Sequence, residues 1–403
     1  MRYVLSTALV SVFCASYIAC SGGGSGPSFS SGDDGGGSGS GGGSGGSSGS
    51  SSGSSGGSSG GSSGGSGGSS GGSSGSGSGG SSGCTTNTGP ITGTVGATGG
   101  SISRLVFGVV GDTRPPSEDD PSMYPTPIIT KIYQDIQAQS PRPALVVGTG
   151  DYQFSGTGST SDATEQLGYY MTARGNFSGA FFPAMGNHEC GTANGACSSD
   201  FANCAGTSTA NLSAFMSEMM APISQTKPYY SVNVNATDMS WTAKFVVTAA
   251  NAWDSTQASW LATTLAQKTT YTFVVRHEAS DASPASCCGT GVNCIAPGVA
   301  GVDAVLVKYP YTLLLVGHTH NYGHFKSYFP GTLPCGSNCP PASKAVVVGN
   351  GGAPLSSTKY QYGYVLLSQR CDGAMVADEY DYMTGATDSY FHFVVTPDGT
   401  LTQ

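Results

Sequence analysis

The sequence predicts an α/β fold for residues 84–403 of this 403-residue chain. Short apolar runs of strand length alternate with segments whose apolar residues recur at helical spacing, which is typical of strands connected by helices. Several of these strands also stop at a glycine followed by Asp, Asn or His. Because ligands of open α/β sheets bind beyond the carboxyl ends of the strands, the pattern indicates a site at one edge of the sheet.

The charge balance excludes two classes of partner. The chain has 15 Lys and Arg residues against 24 Asp and Glu residues, a formal net charge of -9, and no basic run. Nucleic acid and anionic membrane surfaces bind basic patches. We therefore expect no nucleic-acid partner, and contact with a membrane only through a lipid anchor.

The first 20 residues resemble an export signal. Arg2 supplies a positive start, and an apolar run stops at Ile18-Ala19-Cys20. Small residues before a cysteine are typical of bacterial lipoproteins, which predicts lipidation at Cys20 and attachment to the outer membrane or cell surface. A plain secretory signal, giving a secreted or periplasmic protein, is the alternative. Residues 21–83 are almost purely Ser and Gly, so we expect a disordered tether before a single domain at residues 84–403.

Ten of the 12 cysteines follow the signal. They are Cys84, Cys190, Cys197, Cys204, Cys287, Cys288, Cys294, Cys335, Cys339 and Cys371. An even number in an exported chain favours a disulfide framework, and a bridge at Cys190 is expected because it would hold the polar turn that precedes it. A structural zinc site is the alternative, although no Cys-x-x-Cys pair occurs.

The first half of the domain is predicted as three strands separated by helices. Residues 102–110 form an apolar strand ending at Gly111-Asp112-Thr113-Arg114, and a helix follows over residues 126–139. A second strand, residues 144–147, ends at Gly148-Thr149-Gly150-Asp151. The next helix, residues 162–173, is expected to begin with Asp162 as its N-cap. The third strand ends at Gly186-Asn187-His188-Glu189.

The second half repeats this pattern and then becomes β only. A short helix is predicted over residues 212–220, antiparallel strands over 229–234 and 241–248, and a helix capped by Asp254 or Ser255. A strand at residues 271–275 ends at Arg276-His277-Glu278, where Glu278 is interpreted as a loop residue. After a helix at residues 299–308, a strand at 312–316 ends at Gly317-His318-Thr319-His320. Four more strands are predicted at residues 345–348, 362–368, 375–380 and 390–395.

Five strands thus end in potential metal ligands. These ligands are Asp112, Asp151, Asn187, His277, His318 and His320. One such residue at a strand end is commonly only part of a turn, whereas five in succession indicate a site. Carboxylate oxygen combined with imidazole nitrogen suits Zn, Mn or Fe. A carboxylate shared by two ions suits displacement at phosphorus. The pattern therefore predicts one or two divalent or trivalent metal ions.

This order of motifs resembles that of the calcineurin-like metallophosphoesterases. Gln257-x-x-Trp260-Leu261 and the tyrosine at Tyr322, two residues beyond Gly-His-x-His, are similar to the purple acid phosphatase branch. The resemblance covers residues 105–322. It implies a four-layer αββα sandwich of the metallo-dependent phosphatase type, in which two packed sheets are flanked by helices.

The resemblance also implies roles for individual residues. Asp151 would bridge the two metals. The other ligands would divide between the second metal, held by Asn187, His277 and His318, and the first, held by Asp112 and His320. His188 would not be a ligand but the general acid for the leaving-group oxygen, while a metal-bound hydroxide attacks phosphorus.

Two residues depart from the family pattern. The family has either a histidine at position 114, or a glycine there with a tyrosine ligand three residues past the bridging aspartate. This chain has Arg114 and Phe154 instead. Arg114 has three interpretations: a surface ion pair, a replacement for the first metal that clamps the substrate phosphate, or the mark of a decayed site. The retained His188 argues against decay.

The leading functional interpretation is an exported phosphoesterase that hydrolyses phosphate monoesters of a small phosphorylated substrate. A phosphodiesterase on the same metal core is one alternative. A non-catalytic surface binding module with a partly lost metal site is the other, and turnover of a chromogenic phosphate ester would separate it from the enzymes.

Overall fold

The computed structural model describes residues 89–156, 160–191, 203–279, 297–324 and 344–402. All of them belong to the compact unit Ser78–Gln403. The predicted signal and tether lie outside the described residues, and of the ten cysteines beyond the signal only Cys190, Cys204 and Cys371 lie within them. No helix in the described part of the chain is long and apolar enough to cross a membrane.

The described strands and helices follow the predicted alternation. The strands are β1 (Gly93–Gly96), β2 (Gly99–Ile102), β3 (Val106–Val110), β4 (Leu145–Gly148), β5 (Ala180–Pro183), β6 (Tyr230–Ala236), β7 (Thr242–Val247), β8 (Tyr271–Val275), β9 (Leu313–Val316), β10 (Tyr322–His324), β11 (Ala345–Val348), β12 (Gly363–Gln369), β13 (Met375–Asp381), β14 (Thr387–Val395) and β15 (Leu401–Thr402). The helices are α1 (Thr126–Ala138), α2 (Thr160–Arg174), α3 (Asn187–Cys190), α4 (Ala210–Phe215), α5 (Ser255–Ala266) and α6 (Pro297–Leu306). A π-helical turn at Met216–Met220 and 3₁₀ turns at Pro121–Met123, Ala221–Ile223 and Ala250–Ala252 complete the set.

The strands form two mixed sheets. One has seven strands in the order β15-β14-β13-β12-β3-β4-β5, and the other has eight in the order β1-β2-β6-β7-β8-β9-β11-β10. Strands β3, β4 and β5 run parallel in the first sheet, and β7, β8, β9 and β11 run parallel in the second. The carboxyl ends of parallel strands lie at one edge of a sheet, so the loops after these strands can meet there.

Side-chain packing stacks the sheets and helices in four layers. Phe107 of β3 packs between the sheets, with its ring centroid 5.0 Å from that of Phe245 and 4.8 Å from that of Phe273. A second core on the outer face of the eight-stranded sheet includes Leu261 of α5 and Val302 of α6. Helix α1 buries its isoleucines in the main core. The predicted α/β class and αββα sandwich are confirmed.

The observed boundaries of some strands and helices differ from the predicted ones, mainly where the local sequence has little preference for either structure. Strands β1 and β2 form in a Gly- and Thr-rich segment that lacks a strand pattern, because β2 pairs with β6. Helix α2 begins at Thr160, so Asp162 lies in its first turn rather than at its N-cap. Asp254 does cap α5, accepting a 2.6 Å hydrogen bond from the Gln257 N–H, a contact that typically contributes about 1 kcal/mol.

The expected disulfide at Cys190 is wrong for this structure, in which Cys190 and Cys204 are buried free thiols. Both thiols donate to the carbonyl oxygen of Asn251, at 3.2 Å each. These hydrogen bonds join Cys190, at the end of α3, and Cys204 to the 3₁₀ turn at Ala250–Ala252. Cys371 is disulfide-bonded.

Candidate metal centre

The six predicted ligands come together at the carboxyl ends of β3, β4, β5, β8 and β9. Ligand atoms of Asp151, His277 and His318 lie within 4.8 Å of one another, and so do those of Asp112, Asp151 and His320. Asp151 belongs to both groups. The Asn187 Oδ1 atom lies 3.1 Å from His318 Nδ1 and so joins the first group. The arrangement matches two adjacent cation positions that share one carboxylate.

The backbone at the site is held in an unusual conformation. Four of the ligands adopt left-handed φ values: Asp112 at 56°, Asp151 at 58°, His318 at 74° and His320 at 49°. This region costs free energy for residues with a Cβ, and such strain concentrates at functional sites. The surrounding loops compensate through hydrogen bonds, since the N–H groups of Thr113 and Arg114 both donate to the Asp151 carbonyl.

Glycines in the motifs allow the carboxylates to approach the backbone. A Cβ on Gly186 would lie 2.2 Å from Asp151 Oδ1, and one on Gly317 would lie 2.4 Å from Asp112 Oδ2. Neither space accommodates a side chain. Glycine is therefore required at the first position of the Gly-Asn and Gly-His dipeptides, because each packs closely against an acidic ligand.

Hydrogen bonds orient the histidine ligands. His277 Nδ1 contacts the Thr149 carbonyl at 2.8 Å and His320 Nδ1 contacts the Pro354 carbonyl at 2.8 Å, so Nδ1 donates in both rings and Nε2 is directed at the carboxylates. His277 Nε2 lies 3.2 Å from Asp151 Oδ1 and 3.2 Å from His318 Nδ1. Nitrogen and oxygen ligand atoms thus converge at short distance, as expected of a donor set for a metal ion, and these residues fit one.

The shifted pKa values of carboxyl and imidazole groups in the site also indicate a place for a metal ion. Burial raises the pKa of Asp112 to about 7 and lowers the pKa of His318 to about 3 and of His320 to about 4. Burial would also lower the pKa of His277, but the neighbouring Asp151 carboxylate holds it well above its usual range. A buried carboxylate that attracts positive charge, beside two neutral imidazoles, is a suitable environment for a cation.

Glu189 supports the site in a way that sequence reasoning did not assign. Its fully buried carboxylate accepts hydrogen bonds from the N–H groups of Asp151 at 2.9 Å, Tyr152 at 2.8 Å and Gly186 at 2.7 Å. It therefore ties the turn after β5 to the turn after β4. The Gly-Asn-His-Glu motif itself was the signal that could have identified this residue.

The loop after β11 is a second supporting element that sequence reasoning missed. The Gly351 and Ala353 N–H groups donate to the carbonyls of Gly111 and Asp112, each at 2.8 Å, and the Pro354 carbonyl receives the His320 contact. Its Gly-Asn-Gly-Gly sequence after an apolar strand repeats the pattern of the ligand-bearing turns. That repetition was an available signal.

Glu278 is also more than the loop residue that was predicted. It is 2% exposed, accepts a hydrogen bond from the Asn251 side chain, and its carbonyl accepts one from Arg276 Nε at 2.7 Å. Arg276 is fully buried and pairs with Asp303 of α6 at 2.8 Å. This network fixes the turn that presents His277.

Arg114 points into the site rather than away from it. Its Nε lies 3.8 Å from Asp151 Oδ2, and its guanidinium carbon lies 4.5 Å from the centroid of the Phe154 ring. Nη1 donates to the Pro115 carbonyl at 3.1 Å, while the buried Nε makes no hydrogen bond to any residue that the structure describes. The interpretation of Arg114 as a surface ion pair is wrong, because the side chain is only 15% exposed and faces the shared carboxylate.

His188 lies beside the ligands without joining either group. Its Nε2 is 3.7 Å from Asp151 Oδ2, and its ring centroid is 4.5 Å from that of Phe154. Its backbone is fixed at both ends, since its N–H donates to Asp151 Oδ1 at 3.2 Å and its carbonyl accepts from Asn211 at 3.0 Å. The imidazole is therefore placed next to the cation positions but not between them.

Comparison with known proteins decides the family. The calcineurin-like phosphoesterase family model matches residues 105–322, more than half of the chain. The chain belongs to the calcineurin-like phosphoesterase family. The matched region contains all six predicted ligands together with His188 and Arg114. Two groups of these ligands, Asp151 with His277 and His318 and Asp112 with Asp151 and His320, could each hold a metal ion.

Two solved phosphatase structures are similar to this chain at low sequence identity. A purple acid phosphatase from yellow lupin (Lupinus luteus) seeds is 15% identical, with a TM-score of 0.49 over 74% of this chain and 54% of that one. A dimetal phosphatase from Danio rerio is 13% identical, with a TM-score of 0.44 over 71% of this chain and 99% of that one. The chain thus spans about half the length of the lupin enzyme. No curated protein matches the sequence.

Proposed function

We propose that this protein is an exported phosphoesterase that hydrolyses phosphate monoesters, with Arg114 binding the phosphate and His188 protonating the leaving group. The observation that carries the monoester preference is the Arg114 guanidinium, whose Nε lies 3.8 Å from Asp151 Oδ2 and makes no hydrogen bond to the described residues. The terminal phosphate of a monoester is a dianion at neutral pH, whereas a diester carries one negative charge. An additional fixed cation therefore favours the monoester.

The ligand groups would hold one or two metal ions, of which Zn, Mn and Fe suit the mixed carboxylate and imidazole donors. When bound, such an ion acts as a Lewis acid toward the phosphoryl oxygen and activates the attacking water. Asp151 and Asn187 would be among the residues that hold it, and the Arg114 N–H groups would bind phosphoryl oxygens. The negative charge on the phosphoryl group is then stabilised by the fixed Arg114 guanidinium, and water molecules do not have to reorient for this purpose.

His188 would act at the opposite end of the reaction. The proton on Nε2 passes to the ester oxygen as the bond from phosphorus to that oxygen breaks, and this avoids release of an alkoxide. Backbone bonds to Asp151 and Asn211 keep the ring fixed during the transfer. A positioned acid of this kind typically contributes about 10²- to 10⁴-fold to the rate.

Export of the enzyme is supported by the signal-like first 20 residues and by the disulfide at Cys371, because disulfides persist in oxidising compartments. We further propose that Cys20 carries a lipid anchor and that residues 21–83 act as the tether.

Hydrolysis of p-nitrophenyl phosphate and of its bis ester tests the proposed function. With Zn, Mn or Fe supplied in turn, kcat/KM for the monoester should exceed that for the diester by about 10²-fold, the value of one or two charge-assisted hydrogen bonds. Faster hydrolysis of the bis ester would instead identify a phosphodiesterase. Metal binding without turnover of either ester would favour the non-catalytic module.

The pH profile should place maximal activity below pH 6.5. Burial lowers the pKa of His188 well below its ordinary value of 6.5, and Arg114 lowers it further. Because the acid must carry its proton, kcat at saturating metal should fall as the pH rises through this lowered pKa. On the acid side, protonation of Asp112, whose pKa burial raises to about 7, and of His320, whose pKa burial lowers to about 4, opposes metal binding. A kcat that rises steadily from pH 6 to pH 9 would contradict the assigned acid.

A further inference from the structure

The ring of Phe154 contacts both side chains to which the proposed function gives substrate roles. The Arg114 guanidinium carbon lies 4.5 Å from the centroid of this ring, and the His188 ring centroid lies 4.5 Å from it at an interplanar angle of 67°. One aromatic side chain therefore adjoins the phosphate-binding cation and the proton donor together.

Hydrogen bonds to other segments fix the backbone of Phe154. Gln166 of α2 accepts a hydrogen bond from the Phe154 N–H at 2.6 Å and donates one to the Phe154 carbonyl at 3.1 Å. The same carbonyl accepts the Asp119 N–H at 3.0 Å. Gln166 is fully buried, so its amide is held in place by packing. The ring is thus anchored to a helix of the outer layer rather than to a free loop.

An aromatic face is the kind of support that leaves Arg114 able to bind phosphate. A guanidinium that packs its flat face on a ring keeps the N–H donors of its edge available in the guanidinium plane. Among the described residues, the one hydrogen bond from the Arg114 side chain runs from Nη1 to the neighbouring Pro115 carbonyl. The ring of Phe154 and the 3.8 Å ion pair with Asp151 therefore restrain this guanidinium together.

We propose that Phe154 is a positioning residue, which holds the Arg114 guanidinium and the His188 imidazole in the relative geometry needed for transfer of the phosphoryl group. Gln166 sets the position of Phe154. This inference rests on the proposed function, because positioning Arg114 and His188 matters for the reaction only if both side chains contact the substrate. It accounts for an aromatic side chain at position 154 without any bond from that side chain to a metal.

Replacement of Phe154 by leucine tests this inference, because leucine keeps an apolar side chain and removes the ring. Phe154→Leu should raise KM for p-nitrophenyl phosphate about tenfold and weaken the binding of inorganic phosphate, measured by calorimetry, by a similar factor. The kcat for a poor leaving group such as an alkyl phosphate should fall by about 10- to 100-fold, with a smaller loss for p-nitrophenyl phosphate. Metal content should not change.

Three further variants separate positioning from general stability. Phe154→Tyr keeps the ring and should hold phosphate affinity near the unmodified value, and its metal content is measured as well because a tyrosine at this position is a ligand in the family pattern. Gln166→Met removes both backbone hydrogen bonds and should shift KM in the same direction as Phe154→Leu. Phe177→Leu, at a buried aromatic just beyond the end of α2, should lower Tm without altering phosphate affinity or the dependence on the leaving group.

Phosphate affinity also separates this inference from the proposed function. Absence of turnover by the unmodified protein overturns the proposed function, whereas phosphate affinity equal in Phe154→Leu and the unmodified protein overturns the positioning role. Equal kcat losses with good and poor leaving groups, accompanied by the Tm change of Phe177→Leu, would also show a purely structural role. If Phe154→Leu does not fold, Gln166→Met supplies the same comparison.

Discussion

Replacing His188 by alanine should lower kcat for alkyl phosphates by about 10²- to 10⁴-fold. The imidazole stands 3.7 Å from Asp151 Oδ2 and outside both ligand groups, so its loss removes a proton donor and leaves the donor set for metal complete. An alkoxide leaving group needs that proton, whereas p-nitrophenolate leaves readily without it. Steady-state kinetics over a series of leaving groups therefore should give a steeper dependence on leaving-group pKa in His188→Ala.

A measurement of metal content and a control variant at a distant histidine complete this experiment. Metal content of His188→Ala should equal that of the unmodified protein. His392→Ala, at an exposed histidine paired with Asp378, should change neither kcat nor metal content. A uniform loss across all leaving groups would argue that His188 supports the fold of the turn rather than donating a proton.

Arg114→His should increase the number of tightly held metal ions from about one to two per chain and should also weaken substrate binding. A guanidinium has no lone pair and keeps its charge, so it cannot complete the first metal position, and it repels a cation near Asp151. An imidazole supplies a neutral ligand instead. The lost phosphate contact should raise KM by about 10- to 100-fold, the value of one hydrogen bond to a charged group.

Elemental analysis after desalting measures the first effect and initial rates measure the second. Arg370→His is the matched control, because Arg370 pairs with the exposed Asp372 away from the ligands and should leave both values unchanged. Two ions retained by the unmodified protein would show that Arg114 does not weaken the first position. An unchanged KM in Arg114→His would remove the phosphate-binding role.

The sequence by itself determined the fold class and the set of ligand-bearing turns. Apolar runs end abruptly in Gly-Asp, Gly-Asn-His and Gly-His-Thr-His, and each such boundary depends on residues adjacent in the chain. Strands β1 and β2, at one end of the eight-stranded sheet, were not predicted, because their Gly-rich segments have no intrinsic strand preference. Strand β2 forms by pairing with β6, and β1 forms by pairing with β2.

Only the tertiary structure decided what surrounds those ligands. Arg114, Phe154 and His188 follow three different strands, β3, β4 and β5, and no local pattern predicts that their side chains meet. The thiols of Cys190 and Cys204 were expected to be oxidised, yet both donate to the distant Asn251 carbonyl. Such contacts depend on which loops the parallel strands bring to the same edge. Local periodicity specifies strands and turns, whereas the partners of a side chain are set by packing between residues far apart in the chain.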